Sequence, residues 1–153
     1  MKFSEIYVED CLKYITDFTT GWSTSGIVKW FGGYNVPDNS EVIFKFSNGL
    51  DKTRCGLGNG SGSYTTVWYP DNAPYQGHTY TYMYNKSGGQ ILHETVTSIT
   101  SDDEISVRIT GTTATWYKNG VQQDTGTIPS QTNNIRFVNY SYFTPTYIKV
   151  KPL

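Results

Sequence analysis

The stretch EISVRITGTTATWYKNGVQQD, residues Glu104 to Asp124, decides the fold. Ile105, Val107 and Ile109 alternate with Ser106, Arg108 and Thr110. A period of two marks a strand with one buried face. Gly111-Thr112 interrupts the run, and Ala114 and Trp116 resume it between Thr115 and Tyr117. Asn119-Gly120 then predicts a type I′ turn, whose two central residues both need positive φ. Val121 to Asp124 is the returning strand. Three short antiparallel strands on tight turns make a meander, and the rest of the chain is expected to assemble around it.

Outward from there, the same signals recur. Glu41 to Ser47 puts Val42, Phe44 and Phe46 on one face. Strands are also expected at Phe3 to Val8, Ile27 to Phe31, Arg54 to Leu57, Ser63 to Tyr69 and His78 to Tyr84. Further ones follow at Gln90 to Thr100, Ile135 to Asn139 and Thr146 to Lys151. Tyr14 to Phe18 reads as a strand or as an irregular lead-in. Asp17 to Gly26 reads as turns, Pro70 as the end of a strand, and Pro70 to Gly77 as a loop. Thr125 to Asn133 reads as loop. No helical periodicity longer than a turn or two is present. Short strands punctuated by Gly, Asn, Ser and Pro predict an all-β fold, a two-sheet antiparallel β-sandwich. Residues 1–153 are expected to form one domain with its terminal strands adjacent, which suits a module of a larger chain.

Composition narrows the function. Charged residues are 16% of the chain and aromatics another 16%, against a usual charged share of about a quarter. Net charge is −1 and no Lys/Arg cluster is visible, so the basic footprint of nucleic-acid binding is missing. No apolar run approaches the roughly 18 residues of a membrane span. MKFSEIYVEDC lacks the apolar core of a secretory signal. Extracellular action would then need a signal on a larger parent chain, or a route such as virion release. Cys11 and Cys55 are either two unpaired thiols or a disulfide, which would contribute about 4 kcal/mol in the chain-entropy model.

The segment EISVRITGTTATWYKNGV resembles the central strands of concanavalin A-like lectin/glucanase domains, including the laminin-G-like group. The resemblance rests on an apolar strand, Gly111, then Trp116 and Tyr117 before Asn119-Gly120. The opening Val8 to Gly26 and the closing IKVKPL are similar to the first and last segments of such modules. The resemblance implies a jelly roll, and a setting in surface adhesins or phage tail proteins, often without catalysis. It identifies no ligand.

The chemistry-bearing residues fit binding better than bond cleavage. Glycosidases that retain stereochemistry need two carboxyl groups roughly 5 Å apart, which alternate strand residues can supply. No Glu-x-Asp-x-Glu spacing exists here. Asp102-Asp103-Glu104 reads as a solvated turn, and Glu94 beside His93 reads as a structural strand acid. His78 and His93 without placed carboxylates make a poor metal site. GLGNGSG has no following Lys or helix and reads as a hairpin turn, not a phosphate loop. No catalytic residue, cofactor or metal is expected.

The positive signal is aromatic. His78, Tyr80, Tyr82 and Tyr84 alternate on one strand, and Tyr64, Thr66 and Trp68 alternate on the one before it. Paired, they would form either packed core or a platform for sugar rings. Trp22, Trp30, Tyr34 and Tyr75 read as exposed loop aromatics, and Arg108 as an outward contact. The candidate ligand residues are therefore Trp68, His78, Tyr80, Tyr82, Tyr84, Arg108, Trp22 and Tyr75. The expected partner is cell-surface glycan, with no nucleic acid and no membrane insertion, on a homo-oligomer or a module of a longer protein. The expected location is extracellular, at a cell surface or virion. A structural virion or appendage subunit with aromatic contact faces is the alternative.

Overall fold

The computed structural model describes residues 11–47, 53–75, 78–85, 89–93, 99–142 and 144–153, and side chains outside 69–98. The expected strand at Phe3 to Val8, and Glu94, fall outside the described residues. The regular elements of the described chain are strands, apart from one 3-10 turn at Tyr140–Tyr142. No described helix is long and apolar enough to cross a membrane.

The strands are β1 (Lys13–Ile15), β2 (Trp22–Ser25), β3 (Val28–Phe31), β4 (Ser40–Phe46), β5 (Arg54–Asn59), β6 (Ser63–Tyr75) and β7 (His78–Asn85). They continue as β8 (Gly89–His93), β9 (Glu104–Thr110), β10 (Thr113–Lys118), β11 (Val121–Thr127), β12 (Asn134–Val138) and β13 (Pro145–Pro152). A back sheet of six strands runs β1-β13-β4-β9-β10-β11, and a front sheet of seven runs β2-β3-β12-β5-β6-β7-β8. Every pairing is antiparallel. The two sheets stack as a sandwich, and the first and last described strands pair through Ile15 and Ile148.

The meander forms as its sequence demands. Asn119 and Gly120 have φ of 51° and 79°, the two positive values of a type I′ turn. Ile105, Val107 and Ile109 face inward beside Val42 and Phe44 of β4, and Ala114 and Trp116 of β10 extend that face. Trp116 is fully buried at the centre. Its ring stacks on Phe44 (centroids 6.4 Å, 21°) and meets Trp68 of the front sheet edge-on (5.9 Å, 66°). Its indole Nε1 donates to Thr66 Oγ1 at 2.7 Å, a hydrogen bond that ties the sheets across the core.

Four stretches differ from expectation. WSTS, read as turns, is the edge strand β2; it is mostly exposed, so it carries no apolar alternation to betray it. β6 runs through Pro70 to Tyr75; beyond Trp68 it pairs only with β7, and an edge stretch tolerates a proline. β5 continues through Gly58 to Asn59, so the first glycines of GLGNGSG lie in a strand and only the later ones in the turn. β11 reaches Thr127, past the expected end of the meander. Both cysteines are free: Cys11 is partly exposed, and Cys55 is buried, which pushes its thiol pKa far up.

Candidate functional site

Pairing carries one row of residues across the outer face of the front sheet. Trp30 on β3 lies opposite Arg136 on β12, Arg136 opposite Gly56 on β5, and Gly56 opposite Val67 on β6. The next position along brings Asn134 opposite Gly58, and Gly58 opposite Tyr64. The alternate glycines decide what can lie here. A Cβ at Gly56 would sit 2.1 Å from the Thr66 carbonyl oxygen, and one at Gly58 would sit 2.5 Å from Arg136 Cδ. The side-chain stem of Arg136 therefore lies across β5, over Gly58. Its Nε donates to the Gly60 carbonyl at 3.1 Å. The Gly60 amide in turn donates to Asn134 Oδ1 at 3.1 Å, and Asn134 Nδ2 donates to the Tyr34 carbonyl at 3.0 Å. These bonds pin the β5–β6 turn, and with it the guanidinium.

Trp30 closes one side of this arrangement. Its indole Nε1 lies 3.7 Å from where a Gly60 Cβ would be. Burial, and then the positive charge of Arg54, lower the Arg136 pKa, yet a guanidinium stays protonated at any working pH. The face thus presents an indole, a phenol at Tyr64 and two arginines. Among the described side chains of this face none is acidic. Val67 beneath them is only 7% exposed, so the floor is covered rather than bare.

Trp68 is in the core, 2% exposed, and not on the aromatic surface expected of it. The register explains why. β6 and β7 do pair, but Trp68 falls opposite Met83, whereas Tyr82 and Tyr84 fall opposite Tyr69 and Val67. A bulge between Leu57 and Gly58 also separates Tyr64 from Thr66, which is buried. Tyr80 lies opposite Asp71, and Tyr75 opposite His78. The side chains of Tyr75, His78, Tyr80, Tyr82 and Tyr84 lie outside the described residues. The positions of Tyr82 and Tyr84 share the alternation of Val67, and hence of Arg136 and Trp30.

Trp22 is a strand residue rather than a loop contact. Its indole donates to the Asp17 carbonyl at 3.1 Å and packs against Phe31 (5.0 Å) and Phe137 (5.8 Å) at one end of the core. Trp30 is likewise on a strand, and Tyr34 packs half-buried against the core. Arg108 does point outward, but from the back sheet. Its Nε donates to Glu41 at 2.9 Å and its guanidinium lies 4.2 Å from the Tyr117 ring. The acidic run is a turn cap: Asp103 accepts from the Thr100 amide and from Asn119 Nδ2, both at 2.8 Å. Burial pushes the Asp103 carboxyl up, but those donors and the Lys118 ammonium outweigh it and hold its pKa below the usual value. No group of three metal-ligating side chains exists among the described residues.

The sequence reading does not pick out Arg136, and it takes Gly56 and Gly58 only as part of a hairpin turn. The available signal was the period of two between Gly56 and Gly58, since glycine inside a strand marks a close approach.

Two antiparallel sheets with this connectivity define a jelly-roll β-sandwich. No sequence-family description matches the chain, and no curated protein matches it. Solved structures do. A toad ovary galectin, solved with thio-digalactose, superposes with a TM-score of 0.59 at 8% identity, covering 83% of this chain and 100% of the galectin. Xenopus laevis galectin-Ib gives 0.60 at 12% identity, covering 82% and 99%. The catalytic domain of an endo-1,3-beta-glucanase from Thermotoga petrophila gives 0.47 at 10%, covering 84% and 73%. At these identities the likeness is one of fold.

Proposed function

We propose that the chain is a non-catalytic carbohydrate-binding module that holds glycan against the outer face of the front sheet. The observation that carries this reading is the fixed guanidinium of Arg136 over Gly58, beside the Trp30 indole. Sugar recognition needs an apolar face for the ring and rigid donors for hydroxyl groups. An indole and a pinned arginine on adjacent strands supply both. The positions of Tyr80, Tyr82 and Tyr84 on β7 belong to the same proposal. So does the setting: an extracellular surface, as part of an adhesin or a phage tail protein. The galectin fold, solved in one case with thio-digalactose, is consistent with such a ligand class.

A glycan array followed by titration tests it. A neutral oligosaccharide should bind, and Trp30→Ala and Tyr82→Ala should each weaken it about tenfold, the loss of one stacking contact. The melting temperature should stay within a few degrees. Retention of no neutral glycan, or full affinity in both variants, would sink the proposal. Release of reducing sugar by the purified chain would overturn its non-catalytic part.

A further inference from the structure

The outer face of the back sheet holds a recess that the reading above does not use. It lies along β1, β13, β4 and β9 and has a volume of about 640 Å³. Pockets that hold small ligands span about 300–1,000 Å³. Tyr14, Ile43, Glu104, Lys149 and Lys151 are among its walls. The register gathers them: Tyr14 lies opposite Lys149, and Lys149 opposite Ile43.

The charges in this recess are unequally committed. Tyr147 donates its hydroxyl to Glu104 Oε2 at 2.5 Å. Burial and then that bond raise the tyrosine's pKa, so the donor persists through the ordinary pH range. The neighbouring Glu41 is taken by Arg108 Nε at 2.9 Å and Ser106 Oγ at 3.0 Å. Lys149 has no carboxylate partner among the described residues. Its ammonium is held by two rings, 4.6 Å from the Tyr147 centroid and 5.8 Å from that of Tyr14. Lys151 likewise makes no ion pair among the described residues. Lys13 also lines the recess, with its ammonium turned toward the Phe31 ring at 5.7 Å. Two ammonium groups with no ion pair among the described residues, Lys149 and Lys151, thus share this face with two carboxylates, Glu41 and Glu104, each already hydrogen-bonded to another partner. Tyr14 is 56% exposed, which leaves ring surface unspent, and Ile43 adds an apolar wall.

We propose that this recess binds an anionic sugar residue, a pyranose carrying a carboxylate or a sulfate. Its ring lies against Tyr14 and its anion meets Lys149 and Lys151. The site is on the opposite sheet from the neutral-glycan face and stands whether or not that face binds.

Calorimetric titration at low salt with two acidic probes tests it: oligogalacturonate, which carries only carboxylates, and carrageenan oligosaccharide, which carries only sulfates. At least one should bind, and the tighter one identifies the anion. Lys149→Gln/Lys151→Gln should weaken that binding at least tenfold, the loss of charge-assisted hydrogen bonds. Tyr14→Ala, at an exposed edge position, should weaken it severalfold without changing the melting curve. Lys29→Gln/Lys118→Gln removes the same charge elsewhere and should leave affinity intact. The proposal is overturned if neither probe binds, if both double variants weaken binding equally, or if Tyr14→Ala retains full affinity. Neutral-glycan binding to the other face, measured on the same variants, should not move.

Discussion

Trp116→Phe and Thr66→Val, made singly and together, measure the bond that joins the two sheets. In the native core the indole N–H has its acceptor in Thr66 Oγ1 at 2.7 Å, and both residues are fully buried. Thr66→Val removes the acceptor and leaves a buried N–H, which costs about 2 kcal/mol. Trp116→Phe removes the donor and leaves a gap between Phe44 and Trp68. Lost contact and lost hydrogen bond together should cost about 3 kcal/mol. Once position 116 is phenylalanine, no indole N–H is left to orphan. Thr66→Val should then cost about 1.5 kcal/mol less than in the native background, and that difference is the coupling. Each loss fits within the roughly 5–15 kcal/mol of a typical domain, so all three variants should fold. Urea unfolding followed by far-ultraviolet circular dichroism gives the four free energies, provided the m-value is constant. If Thr66→Val costs the same in both backgrounds, the cross-sheet bond contributes nothing and the reasoning fails.

Two further predictions follow from local geometry. Gly58→Ala puts a methyl 2.5 Å from both Arg136 Cδ and the Ser63 carbonyl oxygen, so it should lose about 2 kcal/mol and displace the guanidinium. Gly26→Ala meets no atom within 4 Å but has φ of +59°, so it should lose about 1 kcal/mol and leave neutral-glycan binding unchanged. Equal binding in the two variants would mean that Arg136 is not part of the site. Asp103 has a depressed pKa in the folded chain, so its contribution is present above the unfolded value near about 4 and fades as pH falls below it. Asp103→Asn should cost about 1 kcal/mol at neutral pH and progressively less in acid. A constant cost across that range would count against the carboxylate as the cause.

Where one face of a strand is apolar, the sequence was enough to place it. Val42, Phe44, Ile105, Val107, Ile109 and Trp116 are all buried as their alternation demands. The Asn119-Gly120 turn was equally legible, because few other residue pairs accept two positive φ values. The polar edge strand WSTS was not, since Trp22 is the one residue of the four that is partly buried and the other three are exposed. The single face expected for Tyr64, Thr66 and Trp68 does not form, for a different reason. A bulge between Leu57 and Gly58 shifts the register of β6, and one residue of shift moves a side chain to the opposite face. Nothing in Ser63 to Trp68 announces that bulge. It carries Thr66 into the core while Tyr64 stays opposite Gly58. Arg136 became meaningful only once β12 was seen beside β5, over residues more than seventy positions earlier in the chain.

The contrast between two tryptophans separates fold from function. Trp68 and Trp30 both sit on the front sheet, but their positions alternate to opposite sides of it. Trp68 faces the back sheet, packs edge-on against Trp116, and is 2% exposed. Its removal empties a cavity between layers that cannot close without moving both, so Trp68→Ala should cost about 3–5 kcal/mol. Trp30 lies half-exposed beside Gly60 on the outer face. Its truncation uncovers surface to water and opens no internal void, so Trp30→Ala should cost about 1 kcal/mol, as an exposed strand substitution does. Thermal melts of the two variants against the parent give the comparison directly. A Trp30→Ala loss as large as that of Trp68→Ala would make the indole a structural cover for β5 and β6. The outer face of the front sheet would then be a third packed layer, with no surface left for a ligand.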